Sequence, residues 1–252
     1  MKQFLKSYWK TLLFFTLAGL LGGFPVGLSL LGSYPAEIVQ QIYDQGLNDT
    51  LLGVITGVQY AGYGLFLGAI GIWLGKKIGL WKDETVIEKT PLTAAIVISL
   101  VGGLALILPD ILFFGKYSQA IMDSYATKPT LAYLLGAAIL GGVTEEVMLR
   151  LFMMSLIAFI LHKIFGKKQA LPSPAILIIA NVVAALLFAA GHLPVTFLTI
   201  GSTPIIIFRC FLLNGCFGLA FGWLYRKFGL RYAMIAHGGC HVVSKLIWIL
   251  FI

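Results

Sequence analysis

Charge is what this chain lacks. Only 11% of its 252 residues are charged, against about a quarter in an ordinary soluble domain. Acids are the scarcer kind, ten Asp and Glu beside eighteen Lys and Arg. With 59% of the residues hydrophobic, the polar side chains are too few to coat a water-facing surface, and a soluble fold is excluded. Cysteine is sparse as well. Cys210, Cys216 and Cys240 each fall inside an apolar run, which excludes a secreted disulfide framework and a zinc ribbon and leaves them as small packing residues. No internal repeat, low-complexity tract or linker divides the sequence, so residues 1–252 read as one membrane domain.

Long apolar runs are what the chain does have. They fall near Thr11 to Leu31, Leu51 to Leu74, Leu92 to Phe114, Leu131 to Leu161, Ala175 to Ala190, Ile205 to Tyr225 and Tyr232 to Ile252, and most reach the roughly 20 residues that a spanning helix needs. The expected fold is therefore all-α: a polytopic membrane protein of about seven transmembrane helices, eight if one segment is broken or re-entrant. The first run follows Lys2, Lys6 and Lys10 in the manner of a secretory signal, but it is too long for one and shows no persuasive cleavage site.

The net charge of +8 invites a nucleic-acid reading, which the distribution of the charges opposes. Lys2, Lys6 and Lys10, then Lys76, Lys77, Lys82 and Lys89, then Lys163, Lys167 and Lys168, then Arg226, Lys227 and Arg231 occupy alternate connections, while the others carry only Lys116 and Lys128. This is the positive-inside pattern, with the N-terminus cytoplasmic and the C-terminus outside. The lipid bilayer is thus a partner and nucleic acid is not. Between Gly32 and Thr50, Pro35 is placed to open a short interfacial helix with Ile38, Val39 and Ile42 on one face. The stretch from Lys76 to Thr90 reads as a solvated loop.

Polar residues divide the chain unequally. Spans one and two hold no charge and span three holds Asp110 near its end, whereas spans four to seven contain Glu145, Glu146, Arg150, His192, Arg209, His237, His241 and Lys245. Residues 1–130 are accordingly expected to be accessory helices and 131–252 the core. Glu145 lies about 14 residues, or about 21 Å, into the fourth span. An ionised carboxylate there costs at least about 2.5 kcal/mol and must be paired or wetted. Glu146 and Arg150 are four apart and form the expected pair, structural in character. Glu145 points about 100° away, the freer of the two acids. Gly141 and Gly142, one turn earlier, let another helix or a substrate backbone come close. His192 precedes Leu193 and Pro194, and His237 and His241 share a face of the last span. Arg209 and Lys245 are expected to snorkel to the outer interface.

Three motifs occur in order on successive spans: E-E-x-x-x-R at Glu145 to Arg150, F-x-x-x-H at Phe188 to His192, and His237 with a polar residue four later, preceded by Gly218, Gly222 and Tyr225. Together they resemble the CPBP family, the CAAX protease and bacteriocin-processing intramembrane endopeptidases, which include the type II CAAX prenyl endopeptidases. The likeness covers about Leu131 to Ile252. One position departs from it: His241 stands where the family commonly has Asn, so an amide donor is not carried over there.

The resemblance implies an intramembrane hydrolase in which Glu145 activates water with help from His192, while His237 faces the developing oxyanion. Helical spacing adds His241 to that face. The same four residues, Glu145, His192, His237 and His241, could instead furnish a zinc site. No His-Glu-x-x-His signature accompanies them, and the balance leans slightly against an obligatory metal. Straight helices would leave these groups at different depths, so irregular spans are expected, with breaks near Gly191 and Pro194 and near Gly238 and Gly239, around a water-accessible cavity. A wide cavity would suit a peptide or lipidated protein substrate. Two other classes compete: a noncatalytic immunity protein or scaffold, and a transporter using the acid and imidazoles as a proton or metal path.

Overall fold

Regular structure among the described residues is helical throughout. The computed structural model describes residues 2–83, 86–166 and 168–252. Lys167, counted above for topology, lies outside them. Among the described residues, seven helical segments are long and apolar enough to cross a membrane: Gln3–Leu28, Asp49–Lys77, Lys89–Lys116, Leu131–Phe165, Pro174–Thr199, Pro204–Phe228 and Leu230–Phe251. Large apolar side chains line their outer faces, Phe66 at 67% exposure and Leu250 at 66%, as lipid-facing surfaces require. The chain is an integral membrane protein.

Glycine sets the packing of the first pair. Helix α1 (Lys2–Leu28) and helix α3 (Asp49–Lys77) run against each other so closely that a β-carbon at Gly23 would lie 3.0 Å from the Cα of Gly57. Between them, helix α2 (Ala36–Asp44) begins directly after Pro35, with Ile38, Val39 and Ile42 half-buried and its polar residues exposed. Asn48 caps α3 by accepting the amide of Leu51 at 2.9 Å.

The third span is composite. Helix α4 (Lys89–Ala105) gives way to the short helices α5 (Leu108–Leu112) and α6 (Gln119–Asp123), which fold across one end of the bundle. A buried cluster fixes this cap. Arg209 Nε donates to Asp110 Oδ1 at 2.5 Å, Tyr125 donates its hydroxyl to Asp110 Oδ2 at 2.9 Å, and Trp248 Nε1 donates to the Tyr125 carbonyl at 3.1 Å. Burial, and then the Asp110 charge, push the Tyr125 hydroxyl above its ordinary pKa, so it remains a donor. Arg209 therefore does not snorkel as expected. A wholly buried carboxylate, 99 residues away in sequence, holds it inside.

The fourth span sits at the centre. It comprises α7 (Leu131–Ile139), two π-wound stretches (Leu140–Glu145 and Val147–Met154) and α8 (Ser155–Phe165). Helix α9 (Pro174–Gly191) ends at His192 and continues as α10 (Leu193–Thr199), the break expected at Pro194. Helix α11 (Pro204–Phe228) turns into α12 (Leu230–Phe251) through Gly229 alone. Its φ of 103° is open to glycine and costly for other residues. Helix α12 is continuous through Gly238 and Gly239, so no break occurs there. Those glycines instead admit neighbours: a β-carbon at Gly238 would lie 3.0 Å from the Ala138 carbonyl.

Candidate active site

The central span supplies both acids. Thr130 caps α7 by accepting the Tyr133 amide at 3.1 Å. Past Ile139 the winding widens to π, a form found chiefly as local bulges at functional sites. Glu145 and Glu146 lie at the junction of the two π stretches. Glu146 is entirely buried, while the Glu145 side chain keeps 20% of its surface.

Glu146 holds two partners. Its Oε1 accepts the Nδ1–H of His237 at 2.8 Å and lies 3.1 Å from Arg150 Nη1. The arginine contact is a charge pair outside hydrogen-bond alignment, because Arg150 Nη1 and Glu146 Oε2 have no hydrogen-bond partner among the described residues. Arg150 is secured instead by Nη2, which donates to the Gly218 carbonyl at 3.3 Å, and by its guanidinium lying 4.6 Å from the Phe188 ring centroid and 5.3 Å from that of Phe221. The expected i, i+4 pair is present. What spacing did not reveal is that the same carboxylate orients an imidazole on another helix.

His237 rests on Phe221, ring centroids 4.5 Å apart and planes 18° apart. With Nδ1 committed to Glu146, its Nε2 lies 3.8 Å from Glu145 Oε2. That is too long for a direct hydrogen bond, but one water can contact both atoms. His241 stacks one turn further along, 5.1 Å from His237, and its Nδ1 lies 3.1 Å from Lys245 Nζ. Lys245 is thus buried beside His241 rather than snorkelling, with its ammonium 5.5 Å from the Tyr133 ring. Gly141 makes this possible, since a β-carbon there would stand 2.5 Å from His241 Nε2.

His192 arrives from the end of α9. Its backbone N–H bonds to the Ala189 carbonyl at 3.1 Å, a tightened last turn, and its own ring takes the Phe188 carbonyl, with Nδ1 at 2.8 Å. A carbonyl only accepts, so Nδ1 carries the hydrogen and Nε2 is the free lone pair. His192, His237 and His241 line one cavity of about 40 Å³, closed by Leu106, Phe188, Asn214, Phe217, Phe221 and Cys240. A water needs roughly 10–15 Å³ of such space, so the cavity admits water. The wide cavity expected from the sequence is replaced by a narrow one, because phenylalanine rings fill it. Glu145 is not on this wall and reaches it through His237.

Zinc fits these groups poorly. Among the described residues no three His, Cys, Asp or Glu side chains are grouped to hold one ion. His192 and His237, with Nδ1 on the Phe188 carbonyl and on Glu146, keep Nε2 available, but His241 has Lys245 Nζ 3.1 Å from its Nδ1, which opposes a cation beside it.

Tyr225 is fully buried and shares a 2.9 Å hydrogen bond with Ser155. Gly218 and Gly222 admit α9, Gly218 with room of only 2.9 Å to the Ala185 Cβ.

Residues 127–243 match the family model described as type II CAAX prenyl endopeptidase Rce1-like. No curated protein and no solved structure matches the chain.

Proposed function

Residues 127–243 belong to the Rce1-like group of the CPBP family, a family of CAAX-type intramembrane proteases, and from that premise we propose that this chain hydrolyses a peptide bond with Glu145 as general base. Its substrate is a membrane-associated peptide or protein, lipidated or amphipathic. The observation that carries the reading is the shared imidazole: Glu145 Oε2 stands 3.8 Å from His237 Nε2, while the buried Glu146 holds Nδ1 of the same ring at 2.8 Å.

In this reading Glu145 takes a proton from water, and the hydroxyl oxygen attacks the scissile carbonyl carbon. The displaced electron pair moves to the carbonyl oxygen. His237 Nε2, a lone pair oriented by Glu146, relays the proton from Glu145 to the leaving nitrogen; the electron pair returns from the oxyanion to re-form the C=O bond, and the C–N bond breaks to release the amine and the new carboxyl group. His192 Nε2 accepts a hydrogen bond from the attacking water, and His241 faces the oxyanion. This moves His237 from the oxyanion side, where the resemblance put it, to the proton path. No step is routed through a metal.

Orientation follows the charges. Lys82 Nζ donates to the Lys227 carbonyl at 2.9 Å and Arg231 Nη1 to the Val86 carbonyl at 2.7 Å, so two of the basic connections meet at one end of the bundle. That end is assigned to the cytoplasm, with the C-terminus outside.

The test is Glu145→Gln in proteoliposomes with a quenched-fluorescent farnesylated peptide ending in a CAAX tetrapeptide and a non-prenylated amphipathic peptide beside it. Loss of a general base lowers turnover by about 10²- to 10⁴-fold while thermal unfolding stays unchanged. A variant that cuts as well as the parent overturns the assignment. Proton flux without cut product would instead favour a transporter.

A further inference from the structure

Position 241 is where this chain departs from its family, and Lys245 answers the departure. Resting on the hydrolytic reading above, we propose that Lys245 is a positioning residue that fixes His241 with its hydrogen on Nε2, so that a histidine delivers the oxyanion donor that an amide would otherwise supply.

The argument begins at the amine. Lys245 Nζ lies 3.1 Å from His241 Nδ1, and an ammonium has donors and no acceptor. With Lys245 charged, His241 Nδ1 is the lone pair, and in the neutral ring the hydrogen resides on Nε2. The opposite edge of the ring is kept open by Gly141, the position where a β-carbon would fall 2.5 Å from Nε2.

The two neighbouring imidazoles have the reverse polarity. His192 gives its Nδ1–H to the Phe188 carbonyl and His237 gives its own to Glu146, each at 2.8 Å. Both therefore present Nε2 as an acceptor. Around one cavity, three chemically identical rings become two acceptors and one donor, and the difference lies in what occupies each Nδ1. Two acceptors suit a water giving up its hydrogens. One donor suits the oxygen that gains charge.

Lys245 has little else to do. It is 9% exposed, its Nζ also lies 5.5 Å from the Tyr133 ring, and Glu145 is a carboxylate within electrostatic reach. A buried ammonium is expensive in a membrane span and marks function more often than packing.

The experiment reads the tautomer first and the rate second. Protein carrying ¹⁵N-histidine in bicelles is examined by NMR, with His241 assigned from the signal lost in His241→Asn. The expected state is protonated Nε2 and unprotonated Nδ1 in the parent and in Lys245→Arg, which keeps a donor, and a mixed or inverted tautomer in Lys245→Met. With the farnesylated peptide, Lys245→Met lowers kcat by about 10- to 100-fold with KM nearly unchanged, a loss confined to the transition state, and Lys245→Arg recovers most of it. In the His241→Asn background the amide needs no tautomer control, so the two losses are strongly non-additive.

A parent ring protonated at Nδ1, or a tautomer indifferent to Lys245→Met, overturns the proposal. So does a loss seen in KM alone. If neither peptide is cut by any variant, the hydrolytic reading falls with the oxyanion role, and the NMR result alone still decides whether Lys245 sets the tautomer.

Discussion

His237 gives its Nδ1–H to Glu146 across 2.8 Å, joining the last helix to the middle of the fourth span. The same oxygen of Glu146 lies 3.1 Å from Arg150, so one buried carboxylate balances a cation and aims a ring. Two consequences separate under Glu146→Gln. The amide can still accept from His237, but Arg150 loses its counter-ion in a site with 2% exposure. Leaving a buried charge uncompensated costs about 3–5 kcal/mol, which thermal unfolding in detergent will register as a clear fall in Tm. Glu145→Gln, at the partly exposed neighbour, should show the opposite profile: an unaltered Tm and the lost turnover. Equal Tm values for the two variants would contradict the division of labour between these adjacent acids.

Gly141 is the second place where a single atom decides the outcome. Alanine there would put its β-carbon 2.5 Å from His241 Nε2 and 3.1 Å from His237 Nε2, so two rings of the cavity must move. A misplacement of about 1 Å can cost on the order of 10²-fold in rate. Gly141→Ala should lose at least most of its cleavage while staying folded, because the obstacle is side chain rather than backbone. Gly32→Ala, with nothing within 4 Å of its added carbon, is the matched control and should cut as the parent does. Indifference at Gly141 would mean that the cavity geometry is not the working one.

Much of this was legible beforehand, and what was missed has physical reasons. Span number and positions follow from hydropathy, because a lipid core demands unbroken apolar length. Local pairs were also visible: Glu146 with Arg150, and the break after His192, both arise within one helix. Cross-helix contacts were not. Asp110 and Arg209 each read as a lone charge near a membrane surface, and nothing in either segment says that they meet. The π winding of Leu140 to Met154 had no signature, since the run contains no proline and keeps an ordinary helical pattern. One signal was available and unused. Gly19, Gly23 and Gly27 recur every four residues, the small-residue spacing of a close helix pair, and it is along them that α1 meets α3.

The capping cluster makes a stability prediction of its own. Arg209 and Asp110 form a bidentate pair with the acid wholly buried, and Tyr125 donates to the same carboxylate. Removing one partner, as in Arg209→Met, strands a charge and should destabilise the protein by about 3–5 kcal/mol. Asp110→Asn with Arg209→Met together removes both charges and should recover a large part of that loss. Thermal unfolding of the two singles and the double gives the coupling directly. Additive losses would show that the pair is not what holds the cap.

Metal dependence can be settled by subtraction. A zinc ligand must offer a lone pair, and a histidine that binds through Nε2 keeps its hydrogen on Nδ1, held by a neighbour. His192 and His237 satisfy that condition through Phe188 and Glu146. His241 does not, because Lys245 takes its Nδ1 and brings a positive charge to the place where a cation would sit. With at most two imidazoles available and no third protein ligand grouped with them among the described residues, a tetrahedral catalytic site lacks the three ligands it needs. Dialysis against a strong chelator should therefore leave the cleavage rate within about twofold, and elemental analysis of active protein should find zinc well below one ion per chain. Stoichiometric zinc whose removal stops cleavage, and whose return restores it, would refute this and make Lys245 the first residue to re-examine.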